Sequence, residues 1–161
     1  MKLWLKIILI FVPAVAATLF VFWRLSPEQA IIKRAEVLFT SLEKGILSAG
    51  TPREKARQFR ELLSPQFTIH APRPLPSGLI APAMAATLLE EFQNGVLSSK
   101  IAREDQTVSF PDEKEAIYEA TITAEVAHTP SARQVFRYRC RLQFEKSGRD
   151  WLLLEIVLTR I

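Results

Sequence analysis

Two histidines, two tyrosines and one cysteine are the side chains of this 161-residue chain best suited to chemistry near neutral pH. His70 closes the strand-like run Phe67-Thr68-Ile69-His70, where an imidazole could give or accept a proton. His128 stands beside Thr129-Pro130, at the end of another run, so the two histidines do not form a pair by spacing. Tyr118 and Tyr138 alternate with apolar neighbours and could offer hydroxyls to a ligand; buried tyrosines also do this for a local partner. Cys140 lies between Arg139 and Arg141, yet alternation turns its side chain with the aromatics, which reads as an inert core thiol.

Carboxylates fall poorly for acid–base work. Asp112 and Asp150 sit in turns, Glu119 and Glu125 face a row of arginines, and only Glu104 or Asp105 could point inward. A single cysteine excludes an intramolecular disulfide and any multi-cysteine metal site. There are no paired histidines or His-x-x-Glu spacing for a metal, no glycine-rich phosphate loop and no G-x-S-x-G elbow. No catalytic residue, metal ligand or cofactor is assigned on these grounds.

The elements that carry these residues divide into a helical half and a stranded half. Ser26-Pro27-Glu28-Gln29 reads as cap, proline and capping-box partner for a first domain helix, with Ile31, Ala35, Leu38 and Leu42 at helical spacing and Gly45 as its stop. Thr51-Pro52-Arg53-Glu54 opens a second helix that buries Ala56, Phe59, Leu62 and Leu63. Phe67–His70 is a short strand, and Pro72, Pro74, Pro76 and Pro82 stiffen a crossing loop that contains Ser77-Gly78. A third helix is expected over Pro82–Gln93, ended by Asn94-Gly95.

Beyond Gly95 the hydrophobic period changes from 3.6 to 2. Four strands are expected near 97–110, 115–128, 134–146 and 151–160, with connections too short for parallel crossovers. They read as an antiparallel meander, giving an α+β class with helices on one face. Phe136, Tyr138, Cys140, Leu142 and Phe144 face one way and Arg137, Arg139 and Arg141 the other, a solvated ladder opposite Glu119, Thr121, Thr123 and Glu125. Trp151-Leu152-Leu153-Leu154 is apolar on both faces, so its second face needs cover from a loop or another subunit.

The N-terminus fixes an address. Ile7 to Trp23 is uninterrupted by charge, and at 1.5 Å per residue it reaches roughly 26 Å, close to a bilayer's hydrocarbon thickness. Lys2, Lys6 and Arg24 flank it, and Trp4 and Trp23 bracket it as interfacial aromatics. Residues 1–25 are therefore read as a transmembrane anchor, with a cleaved signal peptide as the rival because Ala14-Val15-Ala16 is a small-x-small triplet. The basic tail favours residues 26–161 lying outside the cytoplasm. Lys and Arg total 21 against 17 Asp and Glu, and the anchor's flanks supply most of that excess. The domain is near neutral, with no basic stripe for nucleic acid.

The run Leu62-Leu63-Ser64-Pro65-Gln66-Phe67 into Thr68-Ile69-His70, a third helix, and four strands whose last follows Ser147-Gly148-Arg149-Asp150-Trp151 resemble the nuclear transport factor 2-like superfamily, including its polyketide-cyclase-like and ketosteroid-isomerase-like branches. The resemblance implies a cone of three helices on a curved antiparallel sheet, often dimeric, with a pocket at the open end. It implies a pocket lined by Phe67, Ile69, Tyr118, Tyr138 and Phe144, with His70 giving polarity. The superfamily also holds non-catalytic membrane-anchored members, such as assembly subunits of bacterial secretion machines. The reading is thus a membrane-tethered, non-catalytic domain that binds a partner protein or a small apolar ligand at the cell envelope and self-associates through its sheet. The alternatives are a pocket enzyme using His70 with a tyrosine, or a structural subunit of an envelope assembly.

Overall fold

The computed structural model describes the backbone of residues 2–24 and 26–161, and the side chains of residues 12–23 and 26–161. Residues 1–30 and 31–161 are two compact units. The first is built on α1 (Lys2–Arg24), where the side chains of residues 12–23 are all exposed. Among the described residues no helix is long and apolar enough to cross a membrane, which leaves the expected span without support from this part of the chain. The side chains of Lys2, Trp4, Lys6 and Arg24, the expected flanks, lie outside the described residues.

The second domain helix signals are local, and the chain obeys them. At the start of α2 (Pro27–Leu42) the Ser26 hydroxyl accepts from Gln29 N at 3.3 Å. At α3 (Pro52–Leu62) the capping box closes in both directions: Glu54 N donates to Thr51 Oγ1 at 3.2 Å and Thr51 N to Glu54 Oε2 at 2.8 Å. These bonds satisfy amides that no helical carbonyl can reach. α2 stops at Leu42, before Gly45, because the chain leaves it to pair with a strand: Lys44 N donates to Ser99 O and Ser99 N to Lys44 O, both at 2.9 Å. The Lys44 ammonium reaches Gln93 O at 2.5 Å and Val96 O at 2.7 Å, capping the carbonyl end of α4 (Pro82–Gly95).

The strands are β1 (Leu63–His70), β2 (Gly78–Leu79), β3 (Ser98–Asp112), β4 (Glu115–Thr129), β5 (Ala132–Ser147) and β6 (Asp150–Arg160). They make one sheet in the order β2-β1-β6-β5-β4-β3. The meander β3 to β6 is antiparallel, and the arginines lie opposite the glutamates and threonines as anticipated: Glu119 opposite Arg141, Thr121 opposite Arg139 and Thr123 opposite Arg137. The sheet as a whole is mixed, correcting the expectation of a purely antiparallel one: β1 runs parallel to β6, with Ile69 opposite Ile156. That pairing joins strands separated by a helix and four other strands, so short-connection reasoning does not reach it. The two-residue β2 within the proline-rich stretch was likewise not anticipated.

Between Glu104 and Thr107 the β3 register slips, and Asp105 there has φ of 54°. Such a bulge bends the strand, and aspartate is one of the few residues that tolerates this backbone region. α2 and α3 pack on one side of the sheet: Phe39 meets Tyr118 with ring centroids 6.1 Å apart, and Phe59 meets Phe67 edge-on at 6.3 Å. The core of residues 31–161 lies there, and the opposite side of the sheet carries the charged residues.

Candidate functional site

Residues directly opposite in a sheet share a face, so the register sorts every candidate side chain. Tyr118, Leu142 and Ile156 lie in one cross-strand row, and Ile69 is opposite Ile156. This inner row, with Phe67, Phe144 and Tyr138, faces the helices. Thr68 is opposite Glu155 and His70 opposite Val157, which sets both on the outer face.

Five of the six residues expected to line a pocket are therefore together, and three of them are fully closed. Phe67, Tyr118 and Phe144 have no exposed surface, Tyr138 is buried and Ile69 is half-buried. Leu142, Leu153 and Leu62 are equally sealed beside them. Side chains with no accessible surface adjoin no space that admits water, so the interior at these residues is packed as a core. The sixth, His70, is elsewhere: its side chain is 58% exposed and its Nε2 lies 3.2 Å from Glu155 Oε1 across the outer face. This places His70 on the other face of the sheet from the apolar residues expected to line the pocket with it. The imidazole is not brought near the Tyr118 or Tyr138 side chains.

The tyrosine hydroxyl is also committed. Tyr118 donates to Gln106 Oε1 at 2.7 Å, a bond made available because the bulge turns Gln106 to the inner side. Burial pushes the Tyr118 phenol up to about 12, against a smaller opposing pull from the Arg103 charge. It stays protonated at neutral pH and cannot serve as a base there. Cys140 is buried as anticipated, and burial alone raises its thiol to about 12, so the nucleophilic thiolate is absent near neutrality. Glu104 pairs with Arg137 at 3.3 Å outside the core, and Asp105 is exposed at the bulge. Among the described residues neither Tyr118 nor Tyr138 is hydrogen-bonded to a carboxylate, as acid–base catalysis would need. Among the described residues no group of three metal-ligating side chains converges.

Sequence reasoning missed Arg103 and the α2–α3 turn. Arg103 is opposite Ile122 on the inner side, half-buried, with its guanidinium carbon 5.4 Å from the Phe39 ring centre. Its period-2 relation to Ile101 was a usable signal. At the turn, a cleft of about 430 Å³ is lined by Glu43, Leu47, Ser48, Glu54, Lys55 and Gln58, among others. Lys55 is only 5% exposed, and its ammonium donates to Glu43 O and Ser48 Oγ. Desolvation holds its pKa below the usual lysine value, partly offset by the Glu43 charge. Glu43 Oε1 in turn accepts from Ile101 N at 3.2 Å, and Glu54 is engaged in the α3 cap. These polar groups hold the turn to the helix ends and to β3. Above them Ile46 and Leu47 stand out fully in solvent.

No protein-family model matches the chain, and no curated protein matches it by sequence. Solved structures do resemble it. A candidate scytalone dehydratase from Novosphingobium aromaticivorans is 11% identical with a TM-score of 0.67, each chain being covered over 83% of its length. A hexachlorocyclohexane dehydrochlorinase is 6% identical at a TM-score of 0.67, covering 82% of this chain and 83% of its own. A nuclear transport factor 2-like protein from Cytophaga hutchinsonii, 9% identical at 0.65, covers 85% of this chain and 100% of its own. Identities this low speak for the fold alone. The chain has the nuclear transport factor 2-like fold, as its element order implied.

Proposed function

We propose that this protein is a membrane-tethered, non-catalytic domain of nuclear transport factor 2-like fold, held outside the cytoplasm, that works by binding a partner protein over its surface. The observation that carries the reading is the sealed interior: Phe67, Tyr118 and Phe144 are inaccessible, while the one histidine suited to proton transfer lies on the outer face with Glu155. A small ligand has no access to those residues, and a bound substrate would meet no acid–base pair. The printed activities of the dehydratase and dehydrochlorinase neighbours belong to sites on those proteins, and a shared fold does not transfer a site.

Tethering rests on the uncharged run from Ile7 to Trp23 in the sequence. Val12, Leu19, Phe20, Val21, Phe22 and Trp23 are each more than half exposed, an arrangement costly in water and favourable in lipid. Six large side chains at about 1.5–3 kcal/mol each would supply more than enough transfer free energy to hold the chain in a bilayer. The test is extraction of the full-length chain from membranes with alkaline carbonate, beside detergent. Retention in the carbonate pellet and release by detergent is the expected outcome. Release by carbonate, or a mature chain that begins after Ala16, removes the tether from the proposal.

A further inference from the structure

Cover and charge are unevenly spread along the free side of β3. This strand ends the sheet order, so one of its two edges meets no other strand of the sheet. Ser99 shows which backbone groups face that edge: its N–H and carbonyl turn away from β4 to bond Lys44. Alternation along an antiparallel ladder turns the groups of Ile101 and Arg103 the same way, and Ile101 N donates to Glu43 Oε1 there. β4 keeps its step of two across the bulge, so Val108, opposite Tyr118, also presents its N–H and carbonyl to the open side. The α2–α3 turn covers the edge at Ser99 and Ile101. Among the described residues no hydrogen bond reaches the outward groups of Val108.

Proteins commonly blunt such an edge with charge, proline or a bulge. β3 does so on both sides of one stretch and not within it. Gln106-Thr107-Val108-Ser109-Phe110 carries no charge and no proline, follows the Asp105 bulge and stops at Pro111. Val108 is half-buried on the inner side, and Phe110, 39% exposed, meets Trp151 with ring centroids 6.0 Å apart. A strand laid along residues 106–110 would cover Phe110 and bond the Val108 amide and carbonyl. The flanks define the strand that fits. Glu104, Asp105, Asp112, Glu113 and Glu115 bracket the stretch against one base, Lys114. Arg137 pairs with Glu104 and Gln143 donates to Glu115, whereas exposed Asp105, Asp112 and Glu113 have no ion pair among the described residues. A second copy of β3 suits this edge poorly: antiparallel pairing centred on Val108 opposes Glu104 of each copy to Asp112 of the other, and like charges directly opposite destabilise a ladder. We infer that the edge of β3 at residues 106–110 accepts an extended segment of a different protein, roughly five residues long, apolar beside Val108 and Phe110 and flanked by Lys or Arg. This rests on the reading of the domain as a partner-binding module, and adds where the partner docks and by what chemistry.

The full-length chain in detergent is titrated with a strand-forming peptide, Lys-Val-Thr-Val-Thr-Val-Lys, and with its Glu-flanked twin. The basic peptide should bind about tenfold more tightly or better, a preference that Glu113→Lys and added salt should both reduce. Its binding should slow hydrogen exchange at the Val108 amide by about tenfold or more and leave the Ile69 amide, on the far side of the sheet, unchanged. In intact membranes a benzophenone side chain placed at Ser109 should join a different protein at an extended, basic-flanked segment, read by mass spectrometry of the joined peptide. The same probe at Leu47 and at Thr121 separates this inference from the reading beneath it. Products at those positions and none at Ser109 leave a partner-binding domain but overturn this edge as its site; no product at any of the three removes both. Equal affinity for the two peptides, an unprotected Val108 amide, or a Ser109 product joined to a second copy of this chain overturns the inference.

Discussion

Truncating Phe67 separates a packed interior from a ligand cavity. In a cavity, a lining side chain can be shortened at little cost, because the space beside it is already open. In a core, Phe→Ala removes the transfer free energy and leaves a void, together costing about 3–5 kcal/mol. Phe67 has no exposed surface and meets Phe59 edge-on, with centroids at 6.3 Å and planes at 87°, so the upper part of that range is expected. For a domain of this size each kcal/mol lowers Tm by about 3 °C, giving a fall of roughly 12–15 °C. Melting of the detergent-solubilised chain, followed by far-ultraviolet circular dichroism, reads this directly. His70→Ala is the control: an exposed imidazole paired only with Glu155 should change stability by no more than about 0.5 kcal/mol. A Phe67→Ala loss under about 1 kcal/mol, or a larger loss for His70→Ala, would refute the sealed interior and return the pocket to consideration.

Two further outcomes follow from the site geometry. Tyr118 and Cys140 have folded-state values raised to about 12 from ordinary values of 10.0 and 9.0. The unfolded chain therefore sheds these protons first, and the stability they contribute is present below pH 9 and lost as pH rises towards 12, at up to about 1.4 kcal/mol per pH unit for each group. Urea unfolding at stepped alkaline pH should show the decline, and Tyr118→Phe with Cys140→Ala should flatten it; an unchanged slope in that double variant would mean other groups drive it. Separately, Thr51→Ala opens the capping box and should cost about 1 kcal/mol, seen as earlier hydrogen exchange at the first amides of α3; unchanged exchange there would show that the cap contributes nothing.

What the sequence discloses about this fold is mostly what is local. Thr51-Pro52-Arg53-Glu54 and Ser26-Pro27 are helix starts because the bonds they make span three residues, and those bonds form. The faces of β4 and β5 are legible because a period of two over fifteen residues leaves one register that buries Tyr118, Ala120 and Ile122 together. The β1–β6 pairing is not legible, since nothing near Phe67 encodes a neighbour almost ninety positions away. His70 is instructive because its side was available from the same alternation: Ile69 and His70 are adjacent, and adjacent strand residues cannot both face inward. With Phe67 inside, Ile69 goes in and His70 goes out. Gln106 could not be found this way. The extra residue at the Asp105 bulge reverses parity, and only the folded strand reveals that the amide meets Tyr118.

The strand order has a consequence for how the chain is made. β6, the last of these six strands to leave the ribosome, fills the gap between β1 and β5. Until it arrives, the nascent sheet exists as two separate pieces, β2-β1 and β5-β4-β3, each showing a bare edge to its surroundings. α2, α3 and α4 are complete before that closure, so β1 and β5 keep unpaired backbone groups until β6 slots between them.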